Sequence, residues 1–272
     1  METRKITSRA NEEIKKIRSL ALRKYREKEG LFMTEGLRHA IEAAEAGWDF
    51  ETLIIEESVP DKEPLQKLTA LLGGKAYLRL EVTRDVMEGI TKRDNPQTVI
   101  AVLRQRWQDL KSVTAESGAI WIGLEEIRDP GNLGTIMRTA DAAGARGIIL
   151  IGKTCDPFAL EAIRASMGSF PHLALVRCSR EEFMAYIKKQ PFQIIGTHLK
   201  ATQDYREVAY RAPLILLMGN EQAGLSPELE AACTQNVIIP MRGKADSLNV
   251  SIATAIMLFE INRAEPALNH AD

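Results

Sequence analysis

The chain has little cysteine and no pairing pattern for what it has. Cys155, Cys178 and Cys233 stand far apart in 272 residues with no C-x-x-C spacing. That spacing argues against a disulfide framework and a zinc ribbon, and fits a reducing compartment. Long hydrophobic runs are also missing. Stretches such as Leu214 to Met218 have the length of a strand and are far too short to cross a bilayer. The opening METRKITSRANEEIKKIRSL is charged throughout and lacks the apolar core of a signal peptide. The expected location is cytoplasmic, with no membrane partner. The glycine loop at Gly219–Leu225 fits neither G-x-G-x-x-G nor G-x-x-x-x-G-K-[ST], so redox dinucleotides and nucleoside triphosphates lose support. His39, His172, His198 and His270 are scattered, and no set of metal ligands is expected. Of the four, His198, beside Thr197 at a strand end, is the one worth testing.

What is present is the composition of an ordinary globular protein, 45% hydrophobic and 27% charged. The length suits two domains. The net charge is −1, unevenly spread: residues 1–30 hold ten Lys/Arg against five acids, a local +5 against −6 for the remainder. This segment reads either as a basic arm for phosphate contacts or as a solvated helix.

Periodicity predicts a charged helix over 12–28 and then alternating short strands and helices. Strand candidates are Leu31–Met33, Leu53–Ile55, Ala76–Leu80 and Thr98–Leu103, with helices at Leu37–Ala46 and Leu65–Leu72. Together they suggest a small α/β domain over 1–105. Residues 106–118 are polar without strong period and read as a linker, or as a short surface helix carrying Trp107. From Ala119 on, strands are expected at 119–124, 147–151, 173–177, 192–197, 214–218 and 236–239. Helices are expected at 132–144, 159–167, 180–188 and 249–264. Near-continuous apolar strands alternating with helices indicate a parallel sheet covered on both faces, here over 119–265, with a tail at 266–272. Ligands bind beyond the carboxyl ends of such strands, which singles out the loops after Leu124, Thr197, Met218 and Ile239.

Three of these loops carry chemistry. Arg128-Asp129-Pro130-Gly131-Asn132-Leu133-Gly134 opens a helix, with Asn132 read as its N-cap. Arg138, one turn inside that helix and off its apolar stripe, reads either as a phosphate grip or as a solvated arginine. Gly219-Asn220-Glu221-Gln222-Ala223-Gly224-Leu225 follows a buried strand and ends at Ser226-Pro227, a helix start. Ile239-Pro240-Met241-Arg242-Gly243 leads to Ser247-Leu248-Asn249-Val250-Ser251-Ile252-Ala253. The helix that follows is apolar almost all round, so it is either central or packed against another subunit.

In this order and at these separations, N-L-G-T-I-M-R, G-N-E-Q-A-G-L and I-P-M…S-L-N-V-S-I-A resemble the three motifs of the SpoU–TrmH branch of the SPOUT RNA methyltransferases. Arg164-Ala165-Ser166-Met167-Gly168-Ser169 resembles a segment between the first two. Phe32-Met33-Thr34-Glu35-Gly36 and Gly47 are similar to the substrate-binding domain of the ribosomal-RNA ribose methyltransferases. The resemblance implies an RNA-binding α/β domain followed by a parallel-sheet domain whose segment 216–260 forms a trefoil knot. It further implies a homodimer that moves a methyl group from S-adenosylmethionine to a ribose 2′-hydroxyl. The expected substrate is ribosomal RNA, with transfer RNA or a non-catalytic knotted RNA-binding protein as alternatives, and DNA is not expected. Carried over by position, Gly219, Ile239 and Leu248 would bind the cofactor, with Thr197 and Met218 nearby. Asn132, Arg138, Glu221, Ser247 and Asn249 match the polar active-site positions. The family often assigns the arginine as general base. A guanidinium titrating above about 12 suits phosphate binding and charge stabilisation better. The N-terminal domain would select the RNA, and removing residues 1–105 is expected to leave a folded core.

Overall fold

A computed structural model describes residues 2–60 and 62–264. In chain order the first elements are β1 (Glu2–Ile6), α1 (Glu12–Ser19), α2 (Arg23–Glu29), β2 (Leu31–Glu35) and α3 (Leu37–Glu45). Next come β3 (Phe50–Glu56), α4 (Glu63–Leu71), β4 (Leu78–Val82), α5 (Arg84–Thr91) and β5 (Val99–Arg104). Then follow β6 (Ile120–Glu125), α6 (Pro130–Ala142), β7 (Gly147–Ile151), α7 (Leu160–Ala165), β8 (Ala174–Cys178) and α8 (Arg180–Ile187). The last are β9 (Gln193–Thr197), β10 (Gln203–Asp204), β11 (Leu214–Met218), α9 (Pro227–Ala232), β12 (Gln235–Ile238) and α10 (Val250–Ala264). The expected tail at 266–272, with His270, lies outside the described residues.

These elements form two compact units. The first takes the chain up to Gln105 together with Asp156–Pro171, and the second takes Arg106–Cys155 and the chain from His172 on. The helix expected at 159–167 therefore belongs with the N-terminal unit rather than inside a continuous 119–265 domain. Nor is 106–118 a free linker. The Gln108 N–H donates to the Leu175 carbonyl at 2.9 Å, and Val113 is buried in the second unit's core.

The first unit is a five-stranded mixed sheet in the order β1-β4-β3-β5-β2. β5 runs antiparallel to both of its neighbours, while β1, β4 and β3 are mutually parallel. Ile54, Leu80, Ile100 and Val102 meet Ile14 and Ile17 of α1 and Val86, Met87 and Ile90 of α5 in one core. Phe32, Trp48, Phe158 and Phe170 form a second cluster, with ring centroids 4.6–6.3 Å apart. Two of those four rings come from the 156–171 segment. That segment is held by charge as well: Arg164 grips the buried Glu35 carboxylate at 2.7–3.0 Å.

The helix expected over 12–28 is broken at Leu20–Leu22, and Arg26 accounts for the break. Its guanidinium donates to the carbonyls of Leu20 (2.8 Å) and Ala21 (3.0 Å) and to Asp156 Oδ2 (2.7 Å). Those carbonyls are the unsatisfied end of α1. With Arg26 4% and Asp156 9% exposed, the pair is a buried structural tie, not a phosphate contact. Much of the remaining basic arm is neutralised locally, as in Lys15–Glu12, Arg23–Glu27, Arg9–Asp85 and Lys5–Glu57. Among the described residues Arg18 makes no ion pair, and Lys24 stacks over Tyr25.

The second unit is a seven-stranded sheet in the order β10-β12-β9-β11-β6-β7-β8, parallel throughout. β6, β7 and β11 are buried along their whole length, which explains their unbroken apolar sequences. α10 packs on α6 and β11 through Val250, Thr254, Met257, Leu258 and Ile261. Its opposite side leaves Ile252 49% and Phe259 56% exposed, an unusual state for large apolar side chains spaced along one helix face.

Candidate active site

In the second unit the strand order reverses between β6 and β11: β7 and β8 lie to one side, β9, β12 and β10 to the other. A crevice at such a switch point, beyond the strands' carboxyl ends, is where open α/β sheets bind ligands. The three motif loops lie there.

The loop after β6 opens α6. Asp129, not Asn132, is the N-cap: its carboxylate accepts the Asn132 N–H at 2.7 Å, and Pro130 fills the first helical position. Proline suits that position because it has no N–H to satisfy. Two consequences follow from the shift. The Asn132 side chain is released from capping, and Arg138 lies more than two turns into α6, past the strong end of the helix dipole.

The loop after β11 folds tightly back on itself. The Asn220 N–H donates to the Gly224 carbonyl at 3.0 Å and the Gly224 N–H to the Asn220 carbonyl at 2.9 Å. Gly224 has φ +71°, and a Cβ on Gly219 would sit 2.1 Å from the Gly224 carbonyl carbon. Gly219 is therefore obligatory for this turn, and Gly224 is favoured by its left-handed angle.

A chain of polar side chains joins all three loops. Asn132 Nδ2 donates to Glu221 Oε1 at 3.3 Å, and the N–H groups of Arg128 and Asp129 reach the same carboxylate at 3.4 Å. Asn132 Oδ1 accepts from Asn249 Nδ2 at 2.9 Å. Asn249 Oδ1 in turn accepts from the Ser251 N–H (2.8 Å) and Ser251 Oγ (2.6 Å), fixing the start of α10. Glu221, Asn132 and Asn249, which are 89 and 117 positions from one another along the chain, thus form one unit.

Beside this network lies a cavity of about 330 Å³. Thr197, Met218, Gly219, Ile239 and Leu248 all line it, as do Glu221 and Ser247. Asn132 reaches it through Glu221, and Asn249 through Asn132. Arg138 stands apart from the network, exposed and, among the described residues, without a hydrogen bond or ion pair. The apolar walls are Met218, Val237, Leu248 and Ala253, and Leu248 is 36% exposed. Such a site suits a flat, mostly apolar ligand with a few polar groups.

Several contributors escape the motif reading. His198, Leu199 and Lys200 also line the cavity. His198 Nδ1 accepts the Lys200 N–H at 3.1 Å, while Nε2 lies 3.4 Å from Glu230. Their signal was positional: they follow Thr197 at a strand's carboxyl end. Asn220, between Gly219 and Glu221, makes three side-chain hydrogen bonds, as many as Glu221 does. The cysteines take no part. Burial pushes the Cys178 and Cys233 thiols up to about 12, which keeps them neutral. Among the described residues no three His, Cys, Asp or Glu side chains gather as metal ligands.

Residues 119–259, half of the chain, match the SpoU rRNA Methylase family. The chain belongs to that family. Residues 11–101 match the MRM3-like substrate binding domain. Over 97% of its length the SpoU-family chain superposes on the AdoMet-bound rRNA methyltransferase from Sinorhizobium meliloti, with 42% identity, a TM-score of 0.91 and 99% of that chain covered. It is 28% identical to the 23S rRNA (guanosine(2553)-2'-O)-methyltransferase RlmP of Bacillus subtilis, over 95% of this chain and 99% of that one. It is 32% identical to the 23S rRNA (uridine(2479)-2'-O)-methyltransferase of Streptomyces viridochromogenes, over 90% of this chain and 86% of that one. Its architecture, a mixed α/β unit followed by a parallel-sheet unit, is that of the SPOUT methyltransferases.

Proposed function

We propose that this protein transfers a methyl group from S-adenosylmethionine to a ribose 2′-hydroxyl of ribosomal RNA, with 23S RNA as substrate. The observation that carries this reading is that hydrogen bonds join the three motif loops beside one cavity, which the second and third of them line. The relatives' names supply the substrate class. The residues present fit the cofactor. Apolar walls at Met218, Val237 and Leu248 suit an adenine ring, the loop at Gly219 leaves no room for a side chain, and Leu248 has apolar surface for a ligand to cover.

When bound, the cofactor supplies a methyl group on a cationic sulfur, activated without help from the protein. The protein's own residues must then orient and desolvate the acceptor oxygen. In this reading Arg138 is held free for RNA. Its guanidinium grips the acceptor nucleotide's phosphate and stabilises negative charge growing on the 2′-oxygen. It stays protonated, so the hydroxyl proton passes to a phosphate oxygen or to water. Asn132, Asn249 and Ser247 set the position of the acceptor, and Glu221 fixes the loops around it.

Three finer points complete the proposal. The segment 216–260 is threaded as a trefoil knot, supported by β12 lying between β9 and β10 and by α10 returning onto α6. Two copies pair through the outer face of α10, supported by the exposure of Ile252 and Phe259. The enzyme works in the cytoplasm. Its three cysteines are unpaired, and among the described residues no helix is long and apolar enough to cross a membrane.

Incubating the protein with S-adenosylmethionine and unmodified 23S RNA should give a 2′-O-methyl mark detected by ribose-methylation mapping. A mark on a base, or only on transfer RNA, would refute the assignment. The cavity itself is tested by Gly219→Ala. The added methyl group cannot fit against Gly224, so cofactor affinity measured by calorimetry should fall by about 100-fold or more, the equivalent of roughly 3 kcal/mol.

A further inference from the structure

We infer that Asn220 is a positioning residue that couples the cofactor loop to the acceptor loop through the two ends of one carboxamide; this rests on the methyltransferase reading above. The Oδ1 end shapes the cofactor side, accepting the N–H groups of Gln222 (2.9 Å) and Ala223 (3.1 Å). The Nδ2 end crosses to the other loop and donates to the Glu126 carbonyl at 2.8 Å. Of the four hydrogen bonds that Asn220 and Glu221 make to residues 126–132 this is the shortest; at the base of the two loops Glu125 also accepts the Ser226 N–H, at 2.7 Å. The three made by Glu221 run from 3.3 to 3.4 Å, at or beyond the usual limit for such bonds.

What Asn220 holds is itself strained. Glu126 has φ +50°, in the left-handed region that a residue with a side chain enters at a cost of about 1–2 kcal/mol. Its N–H is anchored on the Ile151 carbonyl at 3.1 Å, so its carbonyl is the end that needs holding. Glu126 is where the chain turns from β6 toward Arg128, Asp129 and Asn132. The backbone angle at Glu126 therefore aims the segment that opens α6, the helix that carries Arg138. Releasing the Glu126 carbonyl should let this segment shift while the cofactor loop keeps its own turn. A displacement of about 1 Å at an acceptor-positioning segment can cost up to about 100-fold in rate.

The two ends of the carboxamide can be separated by mutation. Asn220→Asp keeps an oxygen for Gln222 and Ala223 but replaces the donor to Glu126 with a second acceptor. S-adenosylmethionine affinity should stay within about threefold, while kcat on RNA falls at least about tenfold. Asn220→Ala removes both ends and should lower cofactor affinity and kcat together. Glu126→Gly removes the cost of the left-handed angle. Added to Asn220→Asp, it should recover at least about threefold of the lost kcat, a rescue that general loosening of the fold would not give. The inference is overturned if Asn220→Asp leaves kcat within about twofold of wild type. It is equally overturned if affinity and kcat fall in parallel in that variant, or if Glu126→Gly restores nothing. Wild-type protein that binds no S-adenosylmethionine would instead remove the methyltransferase reading itself.

Discussion

Replacing Arg138 by alanine should lower kcat for RNA methylation by about 100- to 1,000-fold while changing S-adenosylmethionine affinity by less than about threefold. The magnitude is that of losing one preorganised charge stabiliser at a reacting oxygen. The split between turnover and affinity follows from geometry. Arg138 does not line the cavity and makes no contact with the polar network that shapes it, so its removal leaves the cofactor walls intact. Arg138→Lys should lie between the two, since an ammonium keeps the charge but loses the planar fork that grips phosphate in two places. Single-turnover kinetics with calorimetry on the same preparations measures both quantities. Near-normal turnover in Arg138→Ala would remove the arginine from the mechanism.

Deleting residues 1–105 should yield an aggregating protein rather than a clean catalytic core. The sequence alone suggested that the remainder would fold by itself. The structure changes that expectation, because the 156–171 segment is packed with the unit being removed. Without its partners Phe158 and Phe170 would be exposed, and such large aromatic side chains cost about 3–5 kcal/mol each when their core contacts are lost. Asp156 would lose Arg26, and Arg164 would lose Glu35. A second form, with 156–171 also replaced by a Gly/Ser linker of equal length, should be soluble. It should bind S-adenosylmethionine within about threefold of the full chain and methylate no RNA. Light scattering and calorimetry on the two forms decide the matter; equal behaviour would mean that 156–171 needs no partner.

The motif loops were readable because their backbone demands are local. Gly219, Gly224 and Pro130 are demanded by backbone shape within a few residues, and short patterns show such demands directly. The cap of α6 was misplaced by three residues because Asp129 and Asn132 are both good capping types; the choice between them was made by Pro130. β1 was missed because its sequence, Glu2 to Lys5, is exposed and polar, and only pairing with β4 makes it a strand. α5 is legible in the sequence as well: Thr83 is a good cap, and Val86, Met87 and Ile90 fall on one face. The basic arm misled for a different reason. Lys15–Glu12 and Arg23–Glu27 could be seen at helical spacing, but Arg9–Asp85 and Arg26–Asp156 join residues far apart in sequence. The destination of 156–171 was hidden in the same way. Its helical pattern shows that Ala162 and Ile163 must be buried but not which sheet buries them.

The path of that segment also sets an order of events during synthesis. The first unit needs Phe158, Arg164 and Phe170 to complete its second cluster, so that cluster cannot close until the ribosome has passed Pro171. By then β6, α6 and β7 of the other unit have already emerged. The usual sequence, in which an N-terminal domain finishes before its neighbour begins, is therefore unavailable to this chain. Both halves must wait, part-built, on the same stretch of nascent polypeptide.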